Sequence, residues 1–166
     1  MISVTTEHVF KKEIKTMKKI ALATVLALAA GMASAVELGV TANRDFGPNP
    51  DRNGYGVTIG QKFGAASAAL GFERYTAGSN DLDRYSLVAG YDVAKVGVFT
   101  ITPKAGVAYL QPQAGQTGYA ALVGVGVSVP LNKTVSLTAD YRYQAGQSRV
   151  NQYDGSTVSA GVKVSF

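Results

Sequence analysis

The chain has 166 residues, enough for one domain, with 16 basic and 11 acidic residues and no cysteine. The missing cysteine excludes disulfides, thiolate metal sites and the lipidated cysteine of a lipoprotein. The basic excess belongs largely to the start of the chain: Lys11, Lys12, Lys15, Lys18 and Lys19 face only Glu7 and Glu13 there, leaving 11 bases and 9 acids after residue 35. With that balance and no basic-aromatic stripe, no nucleic-acid partner is expected.

Lys18 and Lys19 precede an apolar run from Ile20 to Ala30, followed by Gly31-Met32 and then Ala33-Ser34-Ala35. A basic start, a short apolar stretch and an Ala-x-Ala site make a cleavable secretory signal peptide, with Ala33 and Ala35 at the site and Val36 as the mature start. The run is shorter than the roughly 20 residues a bilayer-spanning helix needs. Met17 is the expected initiator, because residues 1–16 place Glu7, His8 and Glu13 ahead of the basic start usual in a signal peptide. The domains are therefore residues 1–35, extension and leader, and 36–166, the folded unit.

From Val36 onward, eight alternating segments of about ten residues are separated by clusters of Gly, Asn, Asp and Pro. They run approximately Val36–Asn43, Gly54–Phe63, Ala66–Tyr75, Asp83–Val93, Val96–Leu110, Gly118–Val129, Thr134–Gln144 and Gly155–Phe166. The connections alternate too. Residues 44–53, 76–82, 111–117 and 145–154 are long, whereas those at Gly64, Ala94-Lys95 and 130–133 are short. The fold class is all-β, an eight-stranded antiparallel up-and-down transmembrane β-barrel, the closed structure that satisfies its backbone in lipid.

Aromatic residues sort by height along these strands. Phe63, Tyr91, Phe99 and Phe166 fall at the short-turn end, and Tyr55, Phe72, Tyr85, Tyr109, Tyr119, Tyr141 and Tyr143 at the other. These are the expected girdles at the two membrane interfaces. One parity of the strands is apolar (Leu38, Val40, Val57, Ile59, Leu70, Leu87, Val107, Val123); the other is polar and rich in glycine. A secreted barrel of the lipocalin kind would turn the apolar face inward. The glycines argue for the reverse, since the crowded lumen of a small barrel needs small residues beside long charged ones.

The last strand alternates strictly, with Val158, Ala160, Val162, Val164 and Phe166 on one parity. It resembles the terminal strand of bacterial outer-membrane barrels, and the whole of Val36–Phe166 is similar to the small eight-stranded barrels of the OmpA/OmpX type, porin-like in architecture. The resemblance implies an outer-membrane location reached through the periplasm of a Gram-negative cell. It also implies an assembly signal at Val162, Val164 and Phe166, read by the barrel assembly machinery and periplasmic chaperones, a monomeric barrel, and contact with outer-membrane lipids and lipopolysaccharide.

Inward parity collects Glu37, Glu73, Asp92 and Asp140 with Lys62, Arg84, Lys104, Arg142 and Lys163. Near balance predicts an interior ion-pair network, because buried charges are tolerated when paired. Glu73 and Arg84 are equidistant from their loop and so stand opposite one another; Glu37 lies between Lys62 and Lys163.

No catalytic site is expected. The only histidine, His8, precedes the signal peptide, so no serine of the mature chain has an imidazole base. Asp81 and Asp83 read as loop acids, Gly124-Val125-Gly126 lies inside a strand, and Asn132-Lys133-Thr134 reads as a hairpin signal. No cofactor or metal is implied. Three roles remain: a structural or interaction barrel acting through its outer loops, a narrow porin-like channel, and an outer-leaflet enzyme acting on lipid A. N-terminal sequencing of the protein from an outer-membrane fraction is expected to read from Val36, and a start before residue 30 would contradict the leader assignment.

Overall fold

The computed structural model describes residues 35–47, 51–77, 81–147 and 149–166. Ala33, with all of the leader before Ala35, lies outside the described residues. The strands are β1 (Ala35–Phe46), β2 (Arg52–Phe63), β3 (Ala66–Thr76), β4 (Leu82–Tyr91), β5 (Ala94–Val96), β6 (Phe99–Pro112), β7 (Gly118–Pro130), β8 (Val135–Gly146) and β9 (Gly155–Ser165). All pairings are antiparallel between neighbours in the chain, β4 pairs with β6, and β1 pairs with β9 to close an eight-stranded barrel. The three-residue β5 is a continuation of β4 along the edge of β6.

Register fixes the geometry of closure. A row of partners starting at Val36 passes through Gln61, Ala68, Ala89, Ala105, Val123, Tyr143 and Ser156 and returns to β1 at Phe46, ten residues further on. With strands about 4.8 Å apart and a rise of about 3.3 Å per residue, this shear tilts the strands by about 40°. At that tilt a strand of twelve residues, such as β1, climbs about 30 Å, enough to cross the apolar band of about 25 Å.

The faces are inverted relative to a soluble protein. Val40 on the outside is 62% exposed, whereas Arg84 and Glu73 on the inside are 1% and 2% exposed. Charges inside and aliphatics outside are stable only where the outer medium is apolar.

Several features differ from the sequence reading. The β1 and β2 ladders reach Phe46 and Arg52, so the first connection is shorter and Asp45 and Arg52 turn into the lumen. The short turn expected at Ala94-Lys95 lies instead at Gly97-Val98, where Gly97 has φ 61°. Between β4 and β5, Gly90 pairs with Lys104 and Ala94 with Ile101, so four steps on one strand oppose three on the other. This is a β-bulge, and it explains why Pro103 is tolerated in a long strand: its missing N–H falls opposite the disrupted ladder.

Lumen curvature also needs two glycines on specific grounds. A Cβ at Gly161 would lie 2.2 Å from the Val40 carbonyl oxygen, and one at Gly124 would lie 2.3 Å from that of Tyr141. Gly161→Val is expected to destabilise the barrel by about 1–3 kcal/mol through overpacking, read by urea unfolding in lipid vesicles; an unchanged midpoint would contradict this packing.

Candidate functional site: the charged lumen

The lumen has three levels. Nearest the periplasmic end are separate ion pairs, one between the adjacent strands β1 and β9 and one reaching past β3 from β2 to the residue that follows β4. Glu37 Oε1 accepts from Lys163 Nζ at 2.8 Å, and Asp92 Oδ2 accepts from Lys62 Nζ at 2.5 Å while its Oδ1 accepts from Thr102 at 2.7 Å. Lys62 therefore pairs with Asp92, which shares the inward parity of Arg84, and not with Glu37, which the sequence placed between two lysines. Higher up, Lys104 pairs with Asp140. These residues border a cavity of about 140 Å³ that also meets Thr41, Ser67, Thr138 and Arg142. At about 10–15 Å³ per site, it has room for on the order of ten waters.

The middle level is one connected network around Arg84. Its Nε donates to Glu73 Oε2 at 2.5 Å, and the two residues are direct cross-strand partners. One terminal nitrogen donates to the Tyr75 hydroxyl, and the other to Gln144 Oε1 at 3.1 Å and Thr157 Oγ1 at 3.3 Å. The guanidinium carbon also lies 4.8 Å from the centre of the Tyr75 ring. Glu73 Oε1 accepts from Arg142 and, at 3.4 Å, from Asn43 Nδ2. Thr157 in turn donates to Asp45 Oδ1 at 2.9 Å, and Arg142 to Ser159 Oγ at 3.2 Å. In the closed ring, β9 is diametrically opposite β4, so the Arg84 side chain crosses the lumen from wall to wall.

The upper level is apolar, which the sequence reading of a wholly polar lumen did not foresee. Leu82, Leu110 and Leu122 face inward from β4, β6 and β7, and the β8–β9 connection folds down onto them. Val150 of that connection is 0% exposed. A Cβ on Gly118 would come within 2.9 Å of it, which is why glycine stands there. Tyr153, in the short 3₁₀ turn Asn151–Tyr153, lies under Arg52, whose guanidinium carbon is 4.9 Å from the ring centre. The Tyr153 carbonyl accepts from Gln144 Nε2 at 2.8 Å, joining this lid to the Arg84 network below.

Outside, Phe72, Tyr85, Tyr109 and Tyr119 are successive cross-strand partners on β3, β4, β6 and β7. Their rings meet at 5.2 Å (Phe72 with Tyr85) and 5.3 Å (Tyr109 with Tyr119). Tyr55, Tyr141 and Tyr143 are exposed on the same wall, with the Tyr141 hydroxyl 2.8 Å from Ser156 Oγ. At the other end Phe63, Tyr91, Phe99 and Phe166 are exposed, and the Phe166 and Val36 backbones bond reciprocally at 2.9 and 3.2 Å. Ala35 and Val36 open β1, while Val162 and Val164 stand opposite Val40 and Leu38. Asp83 forms a two-point pair with Arg74 at 2.7 Å, and Asn132 Oδ1 caps Thr134 N and Val135 N at 2.8 Å, so both have structural partners. Among the described residues, no cluster of three or more His, Cys, Asp or Glu is placed to hold a metal ion.

Tyr75, Gln144, Asn43, Asp45 and Arg52 were missed as lumen residues, whereas Thr157 lies on the polar parity of the last strand. The signal was present in part: continuing each inward parity by two residues from Glu73, Arg142 and Asn43 reaches Tyr75, Gln144 and Asp45. Removing one partner of the central pair should be costly, because it strands a buried charge. Glu73→Gln and Arg84→Met are each expected to lose about 3–5 kcal/mol, with the double variant losing less than their sum. Urea unfolding in lipid vesicles measures the cycle, and a coupling of zero would place these side chains apart.

Solved structures with the same architecture come from several bacteria. Neisserial surface protein A matches with a TM-score of 0.62 at 21% identity, covering 81% of this chain and 98% of its own. The attachment invasion locus protein Ail of Yersinia pestis matches with a TM-score of 0.57 at 14% identity, covering 80% and 97%. A major outer membrane protein of Thermus thermophilus gives 0.62 at 14% identity, covering 81% and 100%. At these identities the likeness establishes the fold. No curated protein sequence matches the chain. A family profile described as YfaZ precursor matches residues 17–165, beginning at Met17. The chain therefore belongs to the YfaZ precursor family, and it is a small eight-stranded β-barrel of the outer membrane.

Proposed function

We propose that this protein is a closed outer-membrane barrel with a structural or interaction role at the cell surface, exerted through its outer connections. The observation that carries this reading is the Arg84 side chain, which bonds Glu73 on one side of the lumen and Gln144 and Thr157 on the other. A solute crossing the barrel would have to break these bonds in a low-dielectric interior, and then displace the apolar lid formed by Val150 and Tyr153. Chemistry on lipid A is not part of the proposal, since no histidine follows residue 8.

The same reading covers biogenesis. Signal peptidase acts after Ala35, and the barrel assembly machinery recognises Val162, Val164 and Phe166, delivered by periplasmic chaperones. The barrel then stands as a monomer among outer-membrane lipids and lipopolysaccharide, with its two aromatic girdles at the interfaces. Deleting Phe166 should lower the amount of assembled barrel in cells more than it lowers the stability of barrel refolded in vitro.

A narrow channel is the second reading, favoured by the cavity of about 140 Å³ among the lower ion pairs. Vesicle swelling in pentose solutions separates the two. Wild-type protein is expected to swell no faster than protein-free vesicles, and swelling at the rate of a general porin would overturn the closed-barrel reading.

A further inference from the structure

Charge balance in the lumen fails at one point. Among the described residues, Lys62 pairs with Asp92, Lys104 with Asp140 and Lys163 with Glu37, one cation to one carboxylate. Glu73 instead is shared by two arginines, Arg84 and Arg142, so the charges on and beside the cavity wall leave one positive charge in excess. Asp45 does not offset it, because Asp45 stands opposite Arg52 in the β1–β2 register and does not border the cavity.

Hydrogen bonding is incomplete at the same place. Four buried polar atoms have no partner among the described residues: Thr41 Oγ1, Asn43 Oδ1, Arg52 Nε and Arg142 Nε. Of these four residues Thr41 and Arg142 border the cavity, and both of their unpaired atoms can donate. The Arg142 side chain is only 12% exposed, and one terminal nitrogen is already committed to Glu73 and to Ser159 Oγ at 3.2 Å. A Cβ at Gly56 would lie 2.8 Å from both Glu73 Cγ and Thr41 Oγ1, which puts the hydroxyl beside the carboxylate that Arg142 binds. Strand β9 lies between the strands of Thr41 and Arg142, and opposite Thr41 it carries Gly161, which adds no side chain to the space.

We propose that the cavity binds one small monovalent anion of the halide class, held by Arg142 Nε and the Thr41 hydroxyl. A single negative charge matches the excess and satisfies a buried charged donor that is costly to leave unpaired. Phosphate or sulfate would bring a second charge up against Glu73 and Asp140 in a confined space. A halide sets no fixed arrangement of donors, so two on one side suffice when water in the same cavity completes its shell. Entry is from the periplasmic end, where the Lys62 side chain is 34% exposed, because the buried Arg84 network closes the other. The inference goes beyond the surface role and rests on the lumen alone.

The test follows urea unfolding of the intact barrel in lipid vesicles prepared at constant ionic strength, with chloride or bromide replacing gluconate, a much larger anion of the same charge. The unfolding midpoint is expected to rise with the logarithm of chloride or bromide concentration and to stay level in gluconate. Thr41→Val keeps every charged pair and should weaken the apparent halide affinity roughly tenfold, as the loss of one hydrogen bond to a charged ligand implies. Arg142→Gln removes the excess charge and should abolish the dependence; if that variant does not fold, Thr41→Val still decides. Crystals soaked in bromide should show anomalous scattering within hydrogen-bond reach of Arg142 Nε. Equal midpoints in all three anions overturn the proposal, since water alone then fills the cavity. So does a halide effect of the same size in wild type and Thr41→Val, or bromide found only on the outer surface, either of which makes the halide an adventitious ion only.

Discussion

The constraint on which the rest depends is the hydrogen bonding of the backbone in lipid. An unpaired N–H or C=O facing hydrocarbon costs several kcal/mol, as an order of magnitude, so the sheet must close, and it does so through the β1–β9 ladder from Glu37 with Ser165 to Phe46 with Ser156. Closure with eight strands and a shear of ten leaves a narrow lumen. What fills that lumen is then a packing problem with a polar solution, because the outward half of every strand is already committed to aliphatic side chains. Glycines stand where partner carbonyls or long side chains come close, and arginines and lysines fill the space so released.

Within this frame the Glu73 and Arg84 pair is not a source of stability by itself. Desolvating two ions costs as much as their attraction returns unless hydrogen bonds satisfy the remaining groups. Here they do: Tyr75, Gln144 and Thr157 complete the guanidinium, and Arg142 and Asn43 complete the carboxylate. The lower pairs, such as Lys62 with Asp92, border the cavity and keep partial access to water. The lumen thus divides into a buried network around Arg84 and lower pairs that border the cavity.

Architecture was legible because it rests on periodicity. The alternation of Val158 to Phe166, the long and short connections and the sorting of aromatics all follow from the two-residue repeat of a strand and the thickness of a bilayer. The Glu73 and Arg84 register was legible for the same reason, since a hairpin sets its own pairing. What could not be read were contacts across the lumen. Nothing local to Gln144 or Thr157 says that Arg84 will reach them from the opposite wall. The bulge at Asp92 was hidden too, although Pro103 signals a broken ladder nearby. Likewise, Val150 and Tyr153 sit in a connection that looks polar by composition, and only the apolar lining formed by Leu82, Leu110 and Leu122 makes them a lid.

The Arg84 network also links distant parts of the chain: its partners come from β1, β3, β8 and β9, while Arg84 itself is on β4. A sheet still lacking its last hairpin has no Gln144, Arg142 or Thr157 to offer, so the guanidinium and its carboxylate would stand half-satisfied at an open edge. Satisfying the charges and seaming the cylinder are thus a single event. Half-zipped intermediates are penalised by electrostatics as well as by unpaired backbone.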